Sequence, residues 1–154
     1  DTEKKSKVII VPTIFIKNDV FLKSSKKDID TLVSNIYYLV KKYHKERFNK
    51  FESKLTEIQF DCDWTLKSKE NYFYFLNEFH KKTNLELSCT LRLYPYKYRT
   101  KMGIPPVKKV TLMCYNLIQP FKDNAKNEVI PFNLVTALFN STFPTLVPFL
   151  FKIS

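Results

Sequence analysis

The chain has 154 residues, 44% of them hydrophobic and 27% charged, which gives one core of ordinary size and excludes an intrinsically disordered chain. No apolar run reaches the roughly 18 residues of a transmembrane helix. The net charge of +11 invites a nucleic-acid reading, but the lysines are scattered over helix faces and loops, so nucleic acid is not the expected partner.

Val8 to Ile16 is a near-continuous β-branched and aromatic run, the pattern of a strand buried on both faces, with Pro12 removing one ladder donor. Lys17-Asn18-Asp19 closes it. Ser25-Lys-Lys-Asp28 reads as a capping box. Apolar residues then recur at Ile29, Leu32, Val33, Ile36, Tyr37, Val40 and Tyr43, which predicts a helix over 26–46. Glu57 to Thr65 (EIQFDCDWT) alternates as a strand and ends in two acids and the one tryptophan. Ser68 is the N-cap of a second amphipathic helix that runs to about Lys82. His80 lies at its basic end and His44 in the first helix, both as surface structure rather than ligands.

Leu87 to Leu93 is the cleanest alternation in the chain. A Tyr/Pro/Lys loop is expected next, with Gly103 and Pro105-Pro106, followed by a strand over Val110 to Asn116. The signals then weaken: 117–154 is a poorly defined tail, with a short helix over 133–140 and a last strand over 145–153 broken by Pro148. The single glycine leaves asparagines to fill other left-handed turn positions. Cys62, Cys89 and Cys114 lack the short spacing of a metal site, and their odd number argues against a full disulfide framework. Neither a metal nor another cofactor is expected.

The three clear strands share a phase. Ile58, Phe60 and Cys62, then Leu87, Cys89, Leu91 and Leu93, then Leu112 and Cys114 form one apolar side. The other side carries Asp61 and Asp63, roughly 6–7 Å apart along the strand, with Arg92, Met113 and Tyr115. Central strands of an open doubly wound sheet are apolar on both faces, whereas a barrel strand meets helices outside and builds its site inside. The expected fold class is therefore α/β: a partial (β/α) TIM-type barrel of parallel strands with helices on the outer face, one incomplete domain over 1–154. The three cysteines then face the helix layer and are chemically quiet.

Ile58 to Thr65 (IQFDCDWT) resembles the strand-4 signature of the glycoside hydrolase family 18 barrels, the chitinases and their relatives, which ends in Asp-x-Asp-x-Glu. Leu112 to Asn116 (LMCYN) is similar to the family's strand-6 Met-x-Tyr-Asp. DCDWT, TLRL, PPV and LMCYN together also resemble uncharacterised bacterial proteins expected to share this barrel. The resemblance implies a carbohydrate partner and a site in which Asp61 and Asp63 match the two catalytic aspartates and Tyr115 the tyrosine. Arg92 faces the same way as the two acids. Trp64 and Tyr94, Tyr96 and Tyr98 are candidates to stack on sugar rings. Asn116 stands where the family has Asp, and Thr65 where it has the Glu that protonates the glycosidic oxygen.

A threonine hydroxyl cannot deliver a proton at neutral pH. Either another carboxylate serves as acid, with Asp63 the candidate, or the site binds sugar without cleaving it. A basic, tyrosine-interleaved loop over Lys97 to Lys101 keeps a glycan- or anion-binding module open as a second reading. A third is a truncated product without independent function. A whole barrel takes about 250 residues. The chain is accordingly expected to be a fragment holding strands three to six or seven, and export is expected only of a longer parent that carries a signal. The oligomeric state is not legible in the sequence.

Overall fold

The computed structural model describes residues 11–48 and 54–113. The start of the first expected strand, the end of the fourth with Cys114, Tyr115 and Asn116, and the expected elements of 117–154 lie outside the described residues. Four parallel strands form one sheet in the order β1 (Thr13–Phe15), β2 (Glu57–Asp61), β3 (Glu86–Arg92), β4 (Lys109–Met113). Every crossover is helical: α1 (Asn18–Lys23) and α2 (Lys26–Phe48), then α3 (Lys69–Thr83), then α4 (Leu93–Lys97) and α5 (Arg99–Met102). Each new strand adds beside the one before, so the strand order never reverses within these four.

The register sets the faces. Phe60 pairs with Cys89 and Cys89 with Val110, one apolar row across three strands. Helices α2 and α3 cover this row. Phe60 is fully buried, with its ring centroid 5.0 Å from that of Phe75 and 4.9 Å from that of Phe79, both edge-on. Phe21, Ile29, Val33 and Tyr72 complete the layer. Burying a side chain of this size contributes about 1.5–3 kcal/mol each, so this layer holds the strand ends in place.

Two local signals act as the sequence predicts, whereas Ser68 precedes α3 without a side-chain capping bond to it. Asp28 accepts hydrogen bonds from the Ser25 backbone N–H (2.9 Å) and hydroxyl (2.7 Å), which fixes the start of α2. Helix α3 ends at Asn84 in the left-handed region (φ 57°), an asparagine in a glycine's place. Pro12 lies just before β1, and its carbonyl still accepts from Gln59 N–H at 3.0 Å.

Three expectations need correction. The stretch after Arg92 is not a loop. Leu93–Lys97 and Arg99–Met102 are two short helices, because Pro105-Pro106 lies beyond them and Pro95 sits in the first turn, where a missing N–H is tolerated. Leu93 therefore opens α4 and leaves the strand face. Asn18–Lys23 is a helix where only a strand end was expected. Finally, β1 is not buried on both sides: Thr13 is exposed and Phe15 is 60% exposed. It borders the described sheet; Thr13 continues the polar face of β2, whereas Phe15, in register with Asp61, adds an exposed apolar ring.

Candidate functional site

The face opposite the helices is polar and arranged in rows. At the N-terminal end of the strands, Lys109 Nζ bridges Glu57 (2.7 Å) and Glu86 (3.1 Å). One row up, Gln59 accepts from Thr13 Oγ1 at 3.2 Å and donates to Thr111 Oγ1 at 2.8 Å. That reach passes over Ser88, which is 2% exposed and whose hydroxyl has no hydrogen-bond partner among the described residues. In the next row Thr90 donates to Asp61 at 2.6 Å. In the last row the Arg92 guanidinium donates to Asp63 Oδ2.

The last row forms the floor of a cleft of about 650 Å³. Three segments wall it: α1 through Asn18 and Leu22, the β2–α3 connection from Cys62 to Lys67, and the end of β3 with α4 and α5 through Arg92, Tyr94, Pro95 and Met102. The cleft thus lies beyond the C-terminal ends of β2 and β3. Parallel strands that start helices place ligand-binding loops there.

Side-chain hydrogen bonds lock α1 against α3. Ser68 Oγ donates to Asn18 Oδ1, and Asn71 Nδ2 donates to the carbonyls of Phe21 (2.9 Å) and Ser24 (3.0 Å). The sequence hid this wall. Phe21-Leu22 between Asn18-Asp19 and Ser24-Ser25 is too short to show a helical period. The one legible signal was Ser24-Ser25 ahead of a capping box, which marks a chain break before α2 rather than a continuous loop.

The two acids differ. Asp61 is tied down by Thr90. Asp63 lines the cleft, and burial pushes its carboxyl above the ordinary range. The Arg92 charge opposes that shift, the Asp61 charge adds to it, and the Arg92 hydrogen bond opposes it again; the net direction is upward. Thr65 is exposed at the cleft wall and starts the turn into α3. Its N–H donates to Ser68 Oγ at 2.9 Å, its carbonyl accepts from Ser68 N–H and Lys69 N–H, and its hydroxyl lies 3.3 Å from Ser68 Oγ.

Trp64 borders the cleft but is only 4% exposed. It stacks 6.3 Å from Tyr72 and meets Phe73 edge-on at 5.1 Å, so its main contribution is packing. The exposed aromatic at the cleft is Tyr94, 62% exposed and held 4.7 Å from Tyr98. Tyr96 is buried. Tyr115 and Asn116 lie outside the described residues, so only Asp61, Asp63, Trp64 and Arg92 of the expected set are placed, and they fall at one end of the sheet.

Cys62 and Cys89 are buried under the helices, and burial pushes each thiol up to about 12. Among the described residues no three His, Cys, Asp or Glu side chains converge as a metal site would require. Among the same residues no helix is long and apolar enough to cross a membrane. His80 Nδ1 donates to the Leu85 carbonyl oxygen (2.9 Å) on the surface, a structural contact outside the cleft lining. No family model, curated protein or solved structure matches the chain.

Proposed function

We propose that the cleft beyond β2 and β3 binds carbohydrate, on a partial β/α-barrel frame of the chitinase-like kind. The observation that carries the reading is the Asp63–Arg92 pair on the floor of an apolar-walled cleft. The carboxylate can accept from one sugar hydroxyl and the guanidinium donate to the next, while apolar walls meet the C–H faces of the ring. Leu22, Leu66 and Tyr94 supply those walls. The barrel frame is supported by an unreversed parallel strand order, helices α2 and α3 on one face, and polar rows on the other.

Binding without the usual cleavage fits this site better than hydrolysis. Thr65 has no carboxyl, and its hydroxyl stands at the helix start beside Ser68. The raised proton affinity of Asp63 favours a second reading, in which that residue is the general acid. Titration of the chain with N-acetylglucosamine oligomers, alongside turnover of aryl N-acetylglucosaminides, separates them. Binding that is lost in Asp63→Asn and Arg92→Gln, with no turnover in the parent, is the expected result. Turnover that disappears in Asp63→Asn selects the second reading. A chain that neither binds nor turns over any oligosaccharide overturns both.

A further inference from the structure

We infer that the ligand of the cleft is an acidic glycan, one carrying uronic-acid carboxylates or sulfates, held by a cationic rim built on α4, α5 and the β2–α3 connection. The inference rests on the carbohydrate reading above and narrows its ligand class. Its basis is a charge asymmetry. No Asp or Glu occurs between Glu86 and Asp123, a stretch that includes the end of β3 and both short helices at the cleft. The same stretch brings Arg92, Lys97, Arg99 and Lys101, and the β2–α3 connection adds Lys67. The lining itself holds Lys67 and Arg92 against one acid, Asp63, which is paired with Arg92; Lys97, Arg99 and Lys101 stand outside the lining, on the same two short helices as its Tyr94, Pro95 and Met102.

Elsewhere acids stand among the cations: helix α2 sets Asp28, Asp30 and Glu46 against Lys26, Lys27, Lys41, Lys42, Lys45 and Arg47, and α3 sets Glu70 and Glu78 against Lys69, Lys81 and Lys82. The stretch from Leu87 to Met102 has no acid at all. Lys67, Lys97 and Lys101 are exposed, and none of the three is in an ion pair among the described residues. Two of the rim cations lie over aromatic rings. Lys97 lies 5.5 Å from the Tyr98 ring centroid, and Arg99 lies 5.6 Å from that of Tyr96. Cations spread over exposed charge attract a polyanion, and the walls beside Tyr94 retain a ring. A neutral glycan would use only the second feature.

The test uses the whole chain and the fluorescence of Trp64, the single tryptophan, which borders the cleft. The probes are a hexuronic-acid oligosaccharide and its carboxyl-reduced neutral counterpart of equal length. The acidic probe is expected to bind about tenfold more tightly, since an exposed charge contact is worth about a factor of two and three lysines take part. The difference is expected to shrink as salt rises. The triple variant Lys67→Gln, Lys97→Gln, Lys101→Gln is expected to remove it. The control Lys41→Gln, Lys42→Gln, Lys45→Gln takes the same charge off exposed positions of α2 and is expected to keep it.

Equal affinity for the two probes overturns the acidic-glycan inference and leaves the carbohydrate reading standing. Binding of neither probe overturns both. Equal losses in the two triple variants, or tighter binding of a single-stranded polynucleotide through the same three rim lysines, also overturn the inference.

Discussion

Gly103 is the one glycine of the chain, and its replacement by alanine tests how the cleft wall is held. It ends α5 with φ 84° and ψ 172°, a region essentially closed to residues with a Cβ. Forcing alanine there costs about 1–3 kcal/mol. A Cβ would also sit 3.2 Å from Phe73 Cε2 and 3.3 Å from Lys69 Cδ. The lysine can swing away. The Phe73 ring has less room, because it packs edge-on against Trp64. Gly103→Ala is therefore expected to cost about 2 kcal/mol in all, a fall of about 4–8 °C in melting temperature for a chain of 154 residues. Circular dichroism melts measure it, and Trp64 emission should shift with the displaced Phe73. Adding Phe73→Leu should recover the steric part and leave the backbone part. An unchanged melting temperature in Gly103→Ala would refute the backbone assignment. Asn84, at φ 57°, is the milder comparison: Asn84→Gly should change little, and Asn84→Ala should cost about 1 kcal/mol.

With thiols raised to about 12, Cys62 and Cys89 should resist alkylation at pH 8 and react only on unfolding, as peptide-resolved mass spectrometry would read; prompt labelling in the native state contradicts their burial. The Ser25 hydrogen bonds lower the Asp28 carboxyl, so its contribution to stability is present above the ordinary aspartate value and lost as pH falls through the lowered one. Ser25→Ala should flatten that acid limb in pH-dependent melts. Asp63 has the opposite sign: its contribution is present below the ordinary value and lost as pH rises through the raised one. Glycan binding that needs its carboxylate should accordingly fail on acidification at a pH above the ordinary aspartate range. Thr65→Glu keeps the backbone bonds of the α3 start and places an acid at a helix N-terminus, which favours it. It should melt no lower than the parent and gain turnover of aryl N-acetylglucosaminides; a stable variant that binds sugar without turnover would remove position 65 from any catalytic geometry.

The elements that were legible are those whose signals are local and repeated. Helix α2 announces itself through Ser25, Asp28 and a 3.6-residue apolar period, and β3 through the alternation from Leu87 to Leu91. The common phase of β2 and β3 follows from that alternation, and it puts Asp61, Asp63 and Arg92 on one face. What the sequence withheld depends on short elements and tertiary context. Helices α4 and α5 have too few residues for a period to show, and Tyr-Pro-Tyr is equally at home in a turn. The burial of Trp64 is set by Tyr72 and Phe73 on a different element. Tyr94 and Tyr96 are two residues apart and read alike, yet a short helix turns one into the cleft and the other into the core.

Two acids two residues apart on one strand face end in different chemistry, and the reason is where the strand stops. Asp61 is the last residue of β2, where Thr90 of β3 still lies alongside and donates to it. Asp63 lies past the end of the ladder. Its neighbour across the gap is Arg92, at the end of β3. A neutral hydroxyl fixes Asp61 in place without adding a charge to the cleft. The guanidinium offsets the charge of Asp63 while burial and Asp61 hold its proton affinity up. The result is a carboxylate that is positioned, partly compensated and open to the cleft. Those are the properties of a ligand-holding group, and they arise from a strand that ends two residues before its alternation does.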